Sequence, residues 1–169
     1  MEDETRVFIE NIIMKNRILV YCLLIVVVLS GCKKNHEIVS YHKFSNNIWE
    51  RYDILKFDIP ISEADESYDV YFFANHTRDY EFDNLRFNMV MTTPSGEERI
   101  KEYHFMIKKK TGEFTGTCAS DSCSASITLK KGLRITKKGM LRIEIETLVP
   151  RLQITSLLGV GIRMVPSGQ

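Results

Sequence analysis

Side chains able to do chemistry are sparse in this 169-residue chain, and their spacing limits what they can do. Cys118 and Cys123 form a C-x₄-C pair inside Thr117-Cys118-Ala119-Ser120-Asp121-Ser122-Cys123-Ser124, a run of small residues that lets the two sulfurs approach. Such a pair can close a disulfide, stay as two thiols, or ligate a metal. The metal reading is the weakest, because a zinc site needs a second ligand pair and none lies nearby. Asp79, Glu81 and Asp83 alternate with Tyr80 and Phe82, so an extended chain would set three carboxylates on one face, a calcium- or sugar-contacting arrangement. The plainer reading, and the favoured one, is a solvated face with the two rings packed inward. Of the histidines, His36 and His42 lie near the N-terminal side. His76 falls in the polar, turn-like run Asn75-His76-Thr77-Arg78-Asp79, and His104 takes the solvent side between Tyr103 and Phe105. Trp49, Tyr41 and Tyr52 could offer rings to a sugar, although a lone tryptophan near a domain start more often packs in a core. No H-x-x-x-H, G-x-S-x-G or glycine-rich phosphate loop occurs, and no serine has a recognisable base partner. No catalytic residue, metal ligand or cofactor is therefore assigned.

A third cysteine has a different context. Lys15 and Arg17 precede an uncharged run from Ile18 to Leu29, too short for the roughly 20 apolar residues that span a bilayer. Leu29-Ser30-Gly31-Cys32 follows at once, then Lys33-Lys34. The junction resembles the lipobox of bacterial lipoproteins, which implies a signal peptide cut before Cys32, a diacylglycerol on its thiol and an acyl group on its freed amine. Each buried chain CH₂ contributes about 0.8 kcal/mol, and two or more chains hold a protein stably on a membrane. The alternative is an uncleaved membrane helix with an incidental cysteine. Glu2, Asp3, Glu4 and Glu10 suit neither reading, whereas Met14-Lys15-Asn16-Arg17 begins a conventional signal peptide. The expected organisation is an over-extended start over 1–13, a signal peptide over 14–31, a tether over 32–47 and one domain over 48–169. Export to an oxidising compartment makes the disulfide the natural reading of Cys118 and Cys123, with two free thiols as its alternative. Closing so short a loop contributes only about 2 kcal/mol.

Cleavage before Cys32 would leave 138 residues with 20 basic and 18 acidic side chains, enough for one domain with a real core. That mixed surface asks for no nucleic acid and no acidic substrate.

The elements that must position these residues have a period of two. Leu55, Phe57, Ile59 and Ile61 alternate with Ile54, Lys56 and Asp58, with Pro60 marking an edge or strand end. Tyr68, Val70 and Phe72 alternate with Asp69, Tyr71 and Phe73, a strand with apolar residues on both faces. Leu85 to Met91, the turn Thr93-Pro94-Ser95-Gly96-Glu97 and Ile100 to Ile107 read as a hairpin. Lys108 to Ser126 is the longest irregular stretch; strands resume at Ile127 and Leu129, and again from Met140 to Thr147. A short helix is conceivable within Pro150 to Leu157. Leu158, Val160, Ile162 and Met164 close the chain, with Gly159 and Gly161 on the other face, where something approaches closely. The expected fold is mostly β, an antiparallel β-sandwich or jelly-roll-like domain of about seven to eight strands.

Ala74-Asn75-His76-Thr77-Arg78-Asp79-Tyr80-Glu81-Phe82-Asp83-Asn84-Leu85, followed by Pro94-Ser95-Gly96, resembles the gliding-motility lipoprotein family GldH of the Bacteroidetes. Trp49, Phe57-Asp58-Ile59, Gly112-Glu113-Phe114-Thr115-Gly116 and Gly159-Val160-Gly161-Ile162 fall where that family's positions lie. The resemblance implies a non-enzymatic accessory or scaffold lipoprotein of the gliding and type IX secretion apparatus. Such a protein is held by its lipid, in the outer membrane facing the periplasm, with envelope proteins as partners. A glycan-binding lipoprotein of a nutrient-uptake system is the alternative.

Overall fold

The structure, a computed structural model, describes residues 37–168. The described residues form eleven strands: β1 (Ile38–Lys43), β2 (Trp49–Glu50), β3 (Leu55–Ile61), β4 (Glu66–Thr77), β5 (Asn84–Thr92), β6 (Glu98–Met106), β7 (Thr117–Ala119), β8 (Ser122–Ile135), β9 (Gly139–Thr147), β10 (Gln153–Ile154) and β11 (Leu157–Pro166). Five of them form one antiparallel sheet in the order β1-β11-β4-β8-β7, four form a second in the order β3-β9-β5-β6, and β2 pairs with β10. Setting aside β2, β7 and β10, each three residues or shorter, leaves eight long strands. Numbered among themselves, these run 1-8-3-6 in one sheet and 2-7-4-5 in the other. That order is the doubled Greek key of a jelly roll.

The alternation read from sequence is what builds the core. Along β3, Leu55, Phe57, Ile59 and Ile61 are buried while Lys56, Asp58 and Pro60 are exposed. Phe72 of one sheet meets Phe87 and Phe105 of the other, with ring centroids 4.5 and 5.9 Å apart. Trp49 is fully buried, stacks on Phe44 and donates its indole N–H to the Asp53 carbonyl at 3.0 Å. One local irregularity has a clear cause. The β4–β8 register shifts near Val70, and Gly132, at φ 59°, turns its N–H onto the Asp69 carboxylate at 2.8 Å. That bond and the Ser167 hydroxyl hold the Asp69 carboxyl below its usual range.

Three local expectations need correction. The tether over 32–47 is too long, because β1 and a 3₁₀ turn at Ser45–Asn47 belong to the domain and Phe44 is buried. β1 is polar because it is an outermost strand with one face in water. β8 starts at Ser122 rather than Ile127, because Cys123 and Ala125 face inward while Ser122, Ser124 and Ser126 face out, an alternation too small in side-chain size to show as hydrophobic periodicity. Residues 150–157 hold β10 and no helix.

The outer faces of the two sheets differ. The four-stranded sheet carries ion pairs, with Lys56–Glu144 at 3.4 Å, Arg142–Asp58 at 2.8 Å and Arg86–Glu102 at 2.6 Å. Three rows across the five-stranded sheet read Lys43–Gly159–Asn75–Ser124, Tyr41–Gly161–Phe73–Ser126 and Val39–Arg163–Tyr71–Thr128. The charged side chains in these rows are Lys43 and Arg163.

Candidate functional site

The chain enters the sandwich at Ile38 and leaves at Pro166, side by side at one end. The opposite end gathers the loops 78–83, 107–116 and 148–156 and the β7–β8 hairpin. Cys118 and Cys123 face each other across that hairpin and are joined as a disulfide, their Cα atoms 4.0 Å apart. Arg78 reaches over from the β4–β5 loop and donates Nε to the Ser120 carbonyl at 2.7 Å, which pins the hairpin tip.

His76 lies beneath this hairpin, opposite Cys123 on β8, and is fully buried. Its run of polar neighbours does not make a solvated turn; β4 continues through it and directs the ring inward. Nδ1 donates to the Thr77 carbonyl at 2.8 Å, which leaves Nε2 as an acceptor facing the rings of Tyr80 and Phe114, centroids 5.1 and 4.7 Å away. Neither His76 Nε2 nor the buried Tyr80 hydroxyl has a hydrogen-bond partner among the described residues. Burial, helped by the charge of Lys108, pushes the His76 pKa down, and burial pushes that of Tyr80 up. This aromatic nest packs beneath the loop end, and both of its unpartnered polar atoms are buried.

The remaining candidates separate. Asp79, Glu81 and Asp83 are exposed in a loop rather than aligned on a strand, with Tyr80 buried beside them. Among the described residues no group of His, Cys, Asp and Glu is placed to hold a metal ion. His104 is exposed, 3.0 Å from Glu102. Trp49, Tyr41 and Tyr52 make no joint platform: Trp49 is in the core, Tyr52 is 78 % exposed in the loop after β2, and Tyr41 stands on the outer face of β1. Cys32, the signal peptide over 14–31, the start over 1–13 and His36 lie outside the described residues.

Tyr41 has a partner that sequence reasoning missed. It and Phe73 flank β11 from opposite sides, their rings parallel within 4° and 5.8 Å apart. A Cβ at Gly161 would lie 2.4 Å from the Phe73 ring, and one at Gly159 would lie 2.2 Å from the Tyr41 hydroxyl. The two glycines are thus the floor on which the rings rest. Their placement on one face of a strand was the available signal; which rings would cover them depended on strand order.

A family model described as GldH lipoprotein matches residues 37–164. The gliding motility lipoprotein GldH of Flavobacterium johnsoniae is 22 % identical over 127 residues, covering 75 % of this chain and 78 % of that protein. Among solved structures, Eiger TNF from S. frugiperda is similar at a TM-score of 0.38 and 11 % identity, over 79 % of this chain and 94 % of that one. TmCBM61 in complex with beta-1,4-galactotriose is similar at 0.32 and 15 % identity, over 80 % and 81 %. At those scores neither structural likeness bears on function.

Proposed function

Because this chain belongs to the GldH lipoprotein family, we propose that it is a lipid-anchored, non-enzymatic part of the cell envelope. In this reading it serves the gliding and type IX secretion machinery as an accessory or scaffold, through contacts with other envelope proteins. The observation that carries this reading is the extent of the family match. It runs from the residue before β1 into β11, through every long strand of the jelly roll, so the shared feature is the whole folded domain. The signal peptide over 14–31 would deliver Cys32 for acylation, and Lys33-Lys34 without an acidic run favours a periplasm-facing anchor over surface export. There the Cys118–Cys123 bond would persist. The contact surface in this reading is the end of the sandwich furthest from where the chain enters, since loops held on a rigid scaffold carry recognition.

Crosslinking in living cells followed by mass spectrometry tests it. Envelope proteins of the motility or secretion apparatus should be recovered reproducibly, and replacing residues 112–123 with a flexible Gly/Ser segment should reduce that recovery while the jelly roll stays folded. Recovery of no consistent envelope protein, or recovery indifferent to the loop, counts against it.

A further inference from the structure

We propose that the outer face of the five-stranded sheet binds a neutral polysaccharide, with Tyr41 and Phe73 stacking on the apolar face of a sugar ring and Asn75, Ser124 and Ser126 hydrogen-bonding its hydroxyls. This goes beyond the scaffold reading and does not depend on it.

Three observations converge. The first is the glycine floor. Glycine inside a strand costs about 0.5–1 kcal/mol relative to alanine, and β11 accepts it twice on one face. Any side chain at Gly159 or Gly161 would collide with the rings resting there and with the His42 and Ser40 carbonyls of β1. The two rings stack on each other, parallel within 4°. Tyr41 remains 45 % exposed.

The second is composition. Flat apolar surface beside a few placed hydroxyl and amide groups suits a ring that is apolar on its faces and hydroxylated at its rim. The row through the platform is Tyr41–Gly161–Phe73–Ser126, with Asn75 and Ser124 in the next row.

The third is charge, and it selects the ligand. The opposite outer face is covered by Lys, Arg, Asp and Glu in ion pairs, whereas the three rows here hold two charged side chains, Lys43 on the edge strand and Arg163 on β11. Arg163 is committed to Glu37 at 3.7 Å and to the face of Tyr71 at 4.8 Å, which leaves little to attract an acidic polymer. Lys43 alone, at the edge strand, is too little charge to select an acidic polymer, so the fitting ligand is uncharged.

The test uses the full-length lipoprotein in detergent, run through native gels cast with glucan, mannan, xylan or galactan, and with alginate as the acidic comparator. Retardation by at least one neutral polymer is expected. Tyr41→Ala should weaken it tenfold or more and Tyr41→Trp should retain it, with thermal unfolding confirming that both variants fold. Should Tyr41→Ala fail to fold, Ser126→Glu, at an exposed position, serves instead and should abolish retardation. No retardation by any neutral polymer, retardation by alginate alone, or retardation unchanged in the folded variants overturns the proposal. So does a crosslink from Tyr41 to a protein in cells when no neutral polymer binds in gels, since that assigns the face to a protein.

Discussion

Replacing Cys32 with serine is expected to leave an unprocessed, lipid-free precursor, because the thiol is the atom acylated in the proposed anchor. Intact-mass measurement of the mature wild-type protein should find an acylated N-terminal cysteine, and an unmodified one would refute the anchor. His76 gives a prediction with a sign. An unfolded histidine takes a proton below about pH 6.5, while the buried ring, its pKa depressed by burial, resists it. The unfolded state then binds more protons, so this residue's contribution is intact above that pH and is lost as pH falls toward the folded value. Urea denaturation across this range should show a shallower pH dependence for His76→Phe than for wild type; equal slopes would refute the assignment. The carboxylates of Asp69 and Glu102, also held below their usual range, act in a lower pH window. His76 was illegible in the sequence because Asn75, Thr77, Arg78 and Asp79 surround it, whereas the ring and disulfide that bury it, Phe114 and Cys118–Cys123, lie dozens of residues away.

Strands were the most legible level, since period-two patterns mark β3, β5, β6 and β9 almost to their ends. The exceptions, β1 and the start of β8, are strands of small or polar residues at or near the edge of a sheet. The phase of the β5–β6 ladder allows a sharper test. Thr93 N donates to Glu97 O at 2.9 Å and Ile107 N to Asp83 O at 2.8 Å, so the odd-numbered residues of β6 bond to β5. The N–H groups of Glu98, Ile100, Glu102 and His104 then point away from the sheet. Lys101→Pro removes a ladder bond and should be strongly destabilising, whereas Ile100→Pro should cost far less, as measured by urea denaturation. Equal losses would mean the ladder has the other phase. The hairpin holding Cys118 and Cys123 closes a loop of separation 5, so a double Cys→Ser variant should remain folded, and circular dichroism checks this. Thiol labelling of unreduced protein should find neither cysteine free.

At the scale of the molecule, the sequence reading reached a β-sandwich or jelly roll but not the order of its strands, because pairing partners such as Ile38 and Met164 are joined only through the whole fold. The platform of Tyr41 and Phe73 depended on that order, which is why its glycines were visible in sequence and its rings were not. A chain ending before Leu157 should fail to fold, since β11 is the strand that joins β1 to β4; a protected, protease-resistant core in that truncation would contradict this. The same placement governs timing. A chain threaded N-terminus first across a membrane presents β1 early, yet its neighbour in the sheet is the last strand to emerge. In that sheet β11 fills the place between β1 and β4, so β1 has no strand to pair with until β11 has emerged. Long-range closure of this kind is slow. On the proposed route across a membrane, strand order would act as a delay that keeps the polypeptide threadable until β11 is through, and only then lets the sheet lock.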